Sequence, residues 1–236
     1  MEIINRKTKE LSLAGEIEHS QVSRRKFLRA AGIFGVAATV VGTGCSRSGD
    51  DFVDNGGVVD LGSGDFGILN YAYALEQLEA AFYIQATASP FAGITATETA
   101  YLQDIRDHEI AHREFFKNAL GTNAIKALEV DFSSINFGSR DSVLGTAKAF
   151  EDLGVSAYNG AGRLLVSGDY LLIAGKIVSV EARHAALIRD LITPNSFAAS
   201  DVVDAMGLDV SRTPPQVLAI AKTYIKTQLD ASKLPA

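Results

Sequence analysis

The chain has 236 residues, of which 47% are hydrophobic and 21% charged, with 22 Lys+Arg against 28 Asp+Glu and a formal net charge of −6. This is the composition of one ordinary globular domain able to bury a real core, with room for an appendage. The acidic balance argues against a nucleic-acid partner, whose phosphates need basic side chains, and the single cysteine, Cys45, excludes an internal disulfide and a four-cysteine iron site.

Residues 1–44 do not read as core. The run SRRKFLRAAG (23–32) leads into the uncharged IFGVAATVVGTG, which ends at Gly44. A basic stretch followed by a short run of small and apolar residues, too short to span a membrane as a mature helix, is the pattern of an export signal. Arg24-Arg25 with Lys26, Phe27 and Leu28 resembles the signal read by the twin-arginine (Tat) export machinery of bacteria, which carries proteins already folded. The alternative is a Sec-type signal that happens to be basic. Cys45 follows in VGTGC, placed like the lipid-modified cysteine of a bacterial lipoprotein, although Gly42 stands where such signals usually carry Leu; otherwise it is a small apolar residue, buried or cleaved away. SRSGDDFVDNGG after it is polar and Gly-rich, a flexible tether.

The expected divisions are an export signal over 1–44, an anchor cysteine and tether over 45–64, a helical bundle over 65–194 and a C-terminal helical extension over 195–236. The product is expected in the periplasm or cell envelope, held to the membrane through Cys45. Residues 1–44 hold 7 of the basic and 4 of the acidic residues, so the remainder keeps 15 and 24, net −9. A cation suits such a chain better as a partner than nucleic acid does.

Helical periodicity dominates after Asp65. Leu69, Ala72, Tyr73, Leu75, Leu78, Phe82 and Tyr83 recur at helical spacings over about 67–87. After the break at SPFAG, Thr97 and Glu98 open a second helix to Leu120, stopped by Gly121. Residues 121–138 read as irregular. A third helix is expected over about 141–166 and a fourth over about 169–192, ended by Thr193-Pro194; the short SGD turn between them makes these two antiparallel neighbours. Pro214 and Pro215 suit the first turn of a last helix in SRTPPQVLAIAKTYIKTQL. No strand pattern competes, so the fold class is all-α: a four-helix bundle with an extra C-terminal helical segment.

Within the second helix, HEIAH (108–112) matches H-E-x-x-H, the zinc metalloprotease pattern. An internal repeat points elsewhere. At an offset of 75, LEQLEAAFYIQA (75–86) lies over FEDLGVSAYNGA (150–161), pairing Glu76 with Glu151 and Tyr83 with Tyr158. At an offset of 72, IRDHEIAHREFFKNAL (105–120) lies over IVSVEARHAALIRDLI (177–192), pairing Glu109 with Glu181 and His112 with His184, while His108 falls on Val180. Each half thus carries a glutamate on its first helix and Glu-x-x-His on its second. A glutamate and a histidine three apart share a helix face, so each half aims three ligand side chains one way.

Glu76, Glu109, His112, Glu151, Glu181 and His184 supply four carboxylates and two imidazoles. Four buried carboxylates without a cation would be very costly. Two divalent ions repel in a low-dielectric core, and four carboxylates neutralise and bridge them. This oxygen-rich donor set suits iron or manganese better than a lone zinc.

Over about 67–192 these motifs resemble the ferritin-like superfamily, and specifically the bacterial ferritin-like domain proteins that carry twin-arginine signals. The resemblance implies a four-helix bundle with a dinuclear site at its middle, holding two iron or manganese ions. It also implies ferroxidase or peroxide-consuming chemistry, in which two Fe(II) reduce dioxygen or peroxide and become Fe(III). Tyr83 and Tyr158, two turns beyond the first-helix glutamates, would donate hydrogen bonds to ligand carboxylates or carry electrons; core packing is the alternative. Folding before export would let the chain collect its metal in the cytoplasm. A lipidated chain with a C-terminal extension fits a monomer or dimer rather than a 24-subunit shell.

Four residues stand beside this set. Glu79, three after Glu76, aligns with Gly154 and is an extra ligand, a shuttling carboxylate, a solvated glutamate or, with the repeat shifted by one turn, the first-helix ligand in place of Glu76. His108 points to the helix flank as a surface histidine, or touches a ligand from outside. Asp152 and Arg183 read as helix-flank charges. The competing functions are a metal-poor structural or binding bundle on the envelope and, more remotely, the HExxH zinc protease, which leaves Glu151 and Glu181 unexplained.

Overall fold

A computed structural model describes residues 57–235. The twin-arginine-like run, Cys45 and the tether as far as residue 56 lie outside the described residues.

Four long helices carry the fold: α1 (Gly64–Ala88), α2 (Ala96–Leu120), α3 (Arg140–Ala161) and α4 (Gly168–Ile192). Side chains close the starts of three of them. Thr95 and Glu98 form a reciprocal capping box on α2, Ser139 caps α3 and Ser167 caps α4. Helix α2 stops at Gly121, whose φ of 56° favours glycine. Helix α3 ends at Ala161, earlier than the periodicity suggests, and passes into a single 3-10 turn at Gly162–Leu164. The Asp65 carboxylate accepts hydrogen bonds at 2.8 Å from both Val166 N and Ser167 N, which draws the following residues out of the helix.

Helix α1 packs on α2, and α3 on α4. The two halves run antiparallel, since Tyr83 near the end of α1 bonds Glu151 in the middle of α3, while Tyr158 near the end of α3 bonds Glu76 in the middle of α1. This follows from the long α2–α3 connection, which climbs the outer side of α1. The Asn70 amide donates to Leu61 O and Asn123 O and its carbonyl accepts from Ile125 N; the Gln77 carbonyl accepts from Leu128 N. Farther along, Phe82 meets Phe132 and Phe137 with ring centroids 6.1 and 5.9 Å apart. Covered on so many sides, α1 is buried almost all round, and the backbone that crosses it satisfies the Asn70 amide and the Gln77 carbonyl.

The C-terminal segment closes the remaining side. Arg189 of α4, only 3% exposed, holds Asp152 and Asp201 with paired hydrogen bonds of 2.7–2.9 Å, pinning 195–213 to the bundle. Asp152 is therefore the partner of a buried arginine and not a flank charge, whereas Arg183 is exposed. Gly160 lets the Arg212 backbone against α3: a Cβ there would stand 1.7 Å from Arg212 O. Helix α5 (Pro214–Ala221) is capped by Thr213 with proline in its first turn and stops after eight residues, because the backbone beyond it bonds elsewhere. Asp131 N donates to Tyr224 O and Lys226 N to Glu129 O, both at 2.8 Å. The chain then forms β2 (Leu229–Asp230), parallel to β1 (Val59–Asp60). This two-residue pair leaves no trace in the sequence pattern. No helix among the described residues is long and apolar enough to cross a membrane.

Candidate metal centre

Each helix sends its acidic side chain to one point in the middle of the bundle. Glu76, Glu109, Glu151 and Glu181 are wholly buried, and His184 is 4% exposed. Their donor atoms form two groups, Glu76, Glu109, His112 and Glu181, and Glu109, Glu151, Glu181 and His184; in each, one donor atom per residue lies within 4.8 Å of the others. Glu109 and Glu181, the glutamates of the two Glu-x-x-His motifs, belong to both groups. All six residues singled out by the repeat are brought together, able to hold a metal ion.

The imidazoles face the carboxylates through Nδ1. His112 Nδ1 lies 3.0 Å from Glu181 Oε1, 3.4 Å from Glu76 Oε2 and 3.7 Å from Glu109 Oε2; His184 Nδ1 lies 2.8 Å from Glu109 Oε1 and 3.4 Å from Glu151 Oε2. Close as they are, eight of these buried atoms lack a hydrogen bond of acceptable geometry: Glu76 Oε2, both oxygens of Glu109 and of Glu181, Glu151 Oε2, and Nδ1 of each histidine. Buried polar atoms are nearly always paired. Eight orphans converging on one volume are directed at common points rather than at one another, which is how donors sit around cations.

The two tyrosines steady the outer oxygens crosswise. Tyr83 Oη donates to Glu151 Oε1 at 2.5 Å, and Tyr158 Oη donates to Glu76 Oε1. Both tyrosines also pack in the core, so the hydrogen-bonding and packing readings hold together. Burial, with the adjacent carboxylates adding to it, pushes both phenols well above their ordinary value and keeps the protons on them.

Burial also raises Glu76, to about 7, with Glu109 adding to the shift and His112 opposing it. Glu151 is raised and Glu181 well raised for the same reason. Glu109 goes the other way: burial would raise it, but His112 and His184 together hold it at about 2. Burial would lower the histidines, yet the surrounding carboxylates raise His112 to about 12 and His184 to about 10. Without a cation the cluster must borrow protons to offset its charge.

Glu79 is also buried, one turn beyond Glu76, but belongs to neither donor group. It lies against Gly154: a Cβ there would stand 3.0 Å from Glu79 Oε1 and 3.3 Å from Glu181 Oε2. The repeat's mismatch therefore has a steric reason, since glycine in the second half makes room for the extra carboxylate of the first. Burial, then Glu181, raises Glu79 well above the usual carboxylate range. His108 stays outside both groups. It is exposed on the flank of α2, yet its Nδ1 lies 2.9 Å from His184 Nε2. The pairing of His108 and His112 on one ion that a zinc protease requires is not the geometry found. This histidine contact, 76 positions apart in sequence, and the half-buried Asp152–Arg189 pair carry no signal in the spacing.

Two antiparallel helix pairs, each delivering a glutamate and a Glu-x-x-His to a shared buried cluster, define a carboxylate-rich four-helix bundle. The ferritin-like domain family matches residues 64–194, more than half of the chain, and the chain belongs to that family. No curated protein matches it.

The shifts fix the sign of the metal-free protein's pH dependence. A glutamate with a raised folded pKa keeps a proton that the unfolded chain gives up above 4.5, so its contribution is complete at low pH and is lost as pH climbs through the folded value, about 7 for Glu76. His112 and His184, raised from 6.5, contribute fully below that and lose the contribution toward about 12 and 10. Glu109 acts oppositely, but only as pH falls from 4.5 toward 2. The melting temperature of metal-free protein therefore falls as pH rises from about 5 to about 8, and Mn(II), by displacing the borrowed protons, flattens that fall. Calorimetry showing a rise over this window without metal would contradict the charge assignment.

Proposed function

We propose that this is an exported ferritin-like protein that binds two iron ions, or two manganese ions, and with iron acts as a ferroxidase or peroxide-consuming oxidoreductase. The observation that carries the reading is the convergence of eight orphaned buried donor atoms from six residues, with Glu109 and Glu181 common to both groups. Oxygen donors with one imidazole per group suit iron or manganese.

Glu76 and His112 would hold one ion, Glu151 and His184 the other, and Glu109 and Glu181 would span both. Bound there, two Fe(II) supply the two electrons that, with two protons, take dioxygen to hydrogen peroxide or peroxide to water. The protein fixes the ligands in advance. Tyr158 and Tyr83 hold the outer oxygens of Glu76 and Glu151, each reaching across from the opposite helix pair. Leu78, Phe82, Phe116 and Ile188, all buried, belong to the apolar core packed around the four helices. The arrangement of Arg24-Arg25 ahead of an apolar run that ends at Gly44, just before Cys45, supports twin-arginine export of the folded chain and a lipid anchor in the cell envelope, and such an anchor with the C-terminal extension fits a monomer or dimer.

Elemental mass spectrometry of protein loaded with iron or manganese is expected to find about two ions per chain, lost in large part in Glu151→Ala. Stopped-flow absorbance should then show Fe(II) oxidation at least about tenfold slower in that variant. One zinc per chain, unaffected by Glu151→Ala, would support a zinc site at HEIAH instead, and no bound metal would leave a structural bundle. For export, Arg24→Lys with Arg25→Lys should strand the chain in the cytoplasm, and intact-mass analysis of envelope protein should find acylated Cys45. Export that survives the double substitution would point to a Sec-type signal.

A further inference from the structure

The two halves of the centre are built alike, except where Glu79 faces Gly154 and outside one of the two histidines. Nδ1 of His184 faces Glu109 and Glu151, so Nε2 is the nitrogen turned away from the cluster. That nitrogen lies 2.9 Å from His108 Nδ1, and the two rings are nearly parallel, with 8° between their planes. The repeat places Val180 where His108 stands, so the second half has no equivalent side chain. Among the described residues, His112 has no partner at Nε2; its carboxylate contacts all run through Nδ1.

An imidazole that offers the Nδ1 lone pair to a metal must carry its proton on Nε2, and the group accepting that proton's hydrogen bond fixes both tautomer and ring angle. His108 Nδ1 is placed to accept, leaving the His108 proton on its own Nε2, toward solvent. We infer that His108 is a positioning residue that locks His184 in its metal-binding tautomer and orientation, making the two ion positions inequivalent, with the one beside His184 held more tightly. This rests on the dinuclear reading of the site. His108 is exposed and outside both donor groups, so its removal leaves every donor and the packed core in place.

The test is calorimetric titration of the full, metal-free chain with Mn(II), in the wild type, His108→Ala, His108→Asn and His184→Ala. His108→Ala is expected to weaken one of two binding steps about 10- to 100-fold and to leave the other within about twofold. His108→Asn, whose side-chain oxygen can accept in place of Nδ1, should recover most of the loss. His184→Ala should abolish the same step. In Co(II)-loaded protein, the hyperfine-shifted, exchangeable Nε2–H signal of His184 should broaden in His108→Ala and return in His108→Asn, a change that mere loss of packing would not produce. Unchanged binding in His108→Ala, beside a lost step in His184→Ala, overturns the positioning role and leaves the dinuclear reading standing. Equal weakening of both steps, or no recovery with asparagine, also overturns it. Two unchanged steps in His184→Ala overturn the dinuclear reading and this inference together.

Discussion

Moving a carboxylate from water into a protein core costs several kcal/mol unless a compensating charge comes with it. This bundle buries five at one level, counting Glu79, with only two imidazoles beside them. The borrowed protons that raise Glu76, Glu151 and Glu181 and hold a charge on His112 and His184 are the metal-free answer to that constraint. A bound metal cation is the other, and the convergence of these donor atoms suits it. An all-apolar middle would have been the simpler core, so the polar middle is what the fold exists to support.

The rest of the architecture serves that level. The long connection after α2 climbs the side of α1 and sets α3 antiparallel to it, which lets Tyr83 and Tyr158 reach across to the carboxylate of the opposite pair. The same connection, anchored on Asn70 and on the Gln77 carbonyl, covers α1 and makes it the central helix. Approximate two-fold symmetry gives each group one imidazole and one outer glutamate. The symmetry breaks at two places, Glu79 facing Gly154 and His108 aligned with Val180, and both breaks lie against the centre.

Much of this was legible in the sequence because helices write their buried faces at a fixed period and because the chain carries the pattern twice. The repeat separated Glu109 and His112, which join the buried donor groups, from His108, which does not, and its tyrosines fell where they bond Glu151 and Glu76. The crossing of the tyrosines was not legible, since it depends on the direction of α3 relative to α1. Nor was the His108–His184 contact, formed through space between helices. Asp152 looked like a flank charge because its partner, Arg189, lies on another helix. The end of α3 and the stop of α5 are decided by hydrogen bonds to Asp65, Glu129 and Asp131, remote in sequence, so local periodicity runs past both. The two-residue strand pair is too short to carry a period at all.

The most direct test is anomalous X-ray scattering from crystals of iron- or manganese-loaded protein, recorded at the absorption edge of the metal. The two-ion centre predicts two peaks inside the bundle, one beside Glu76 and His112 and one beside Glu151 and His184, with Glu109 and Glu181 between them. A single peak held by His108 and His112, or a loaded protein with no peak among the four helices, would contradict it.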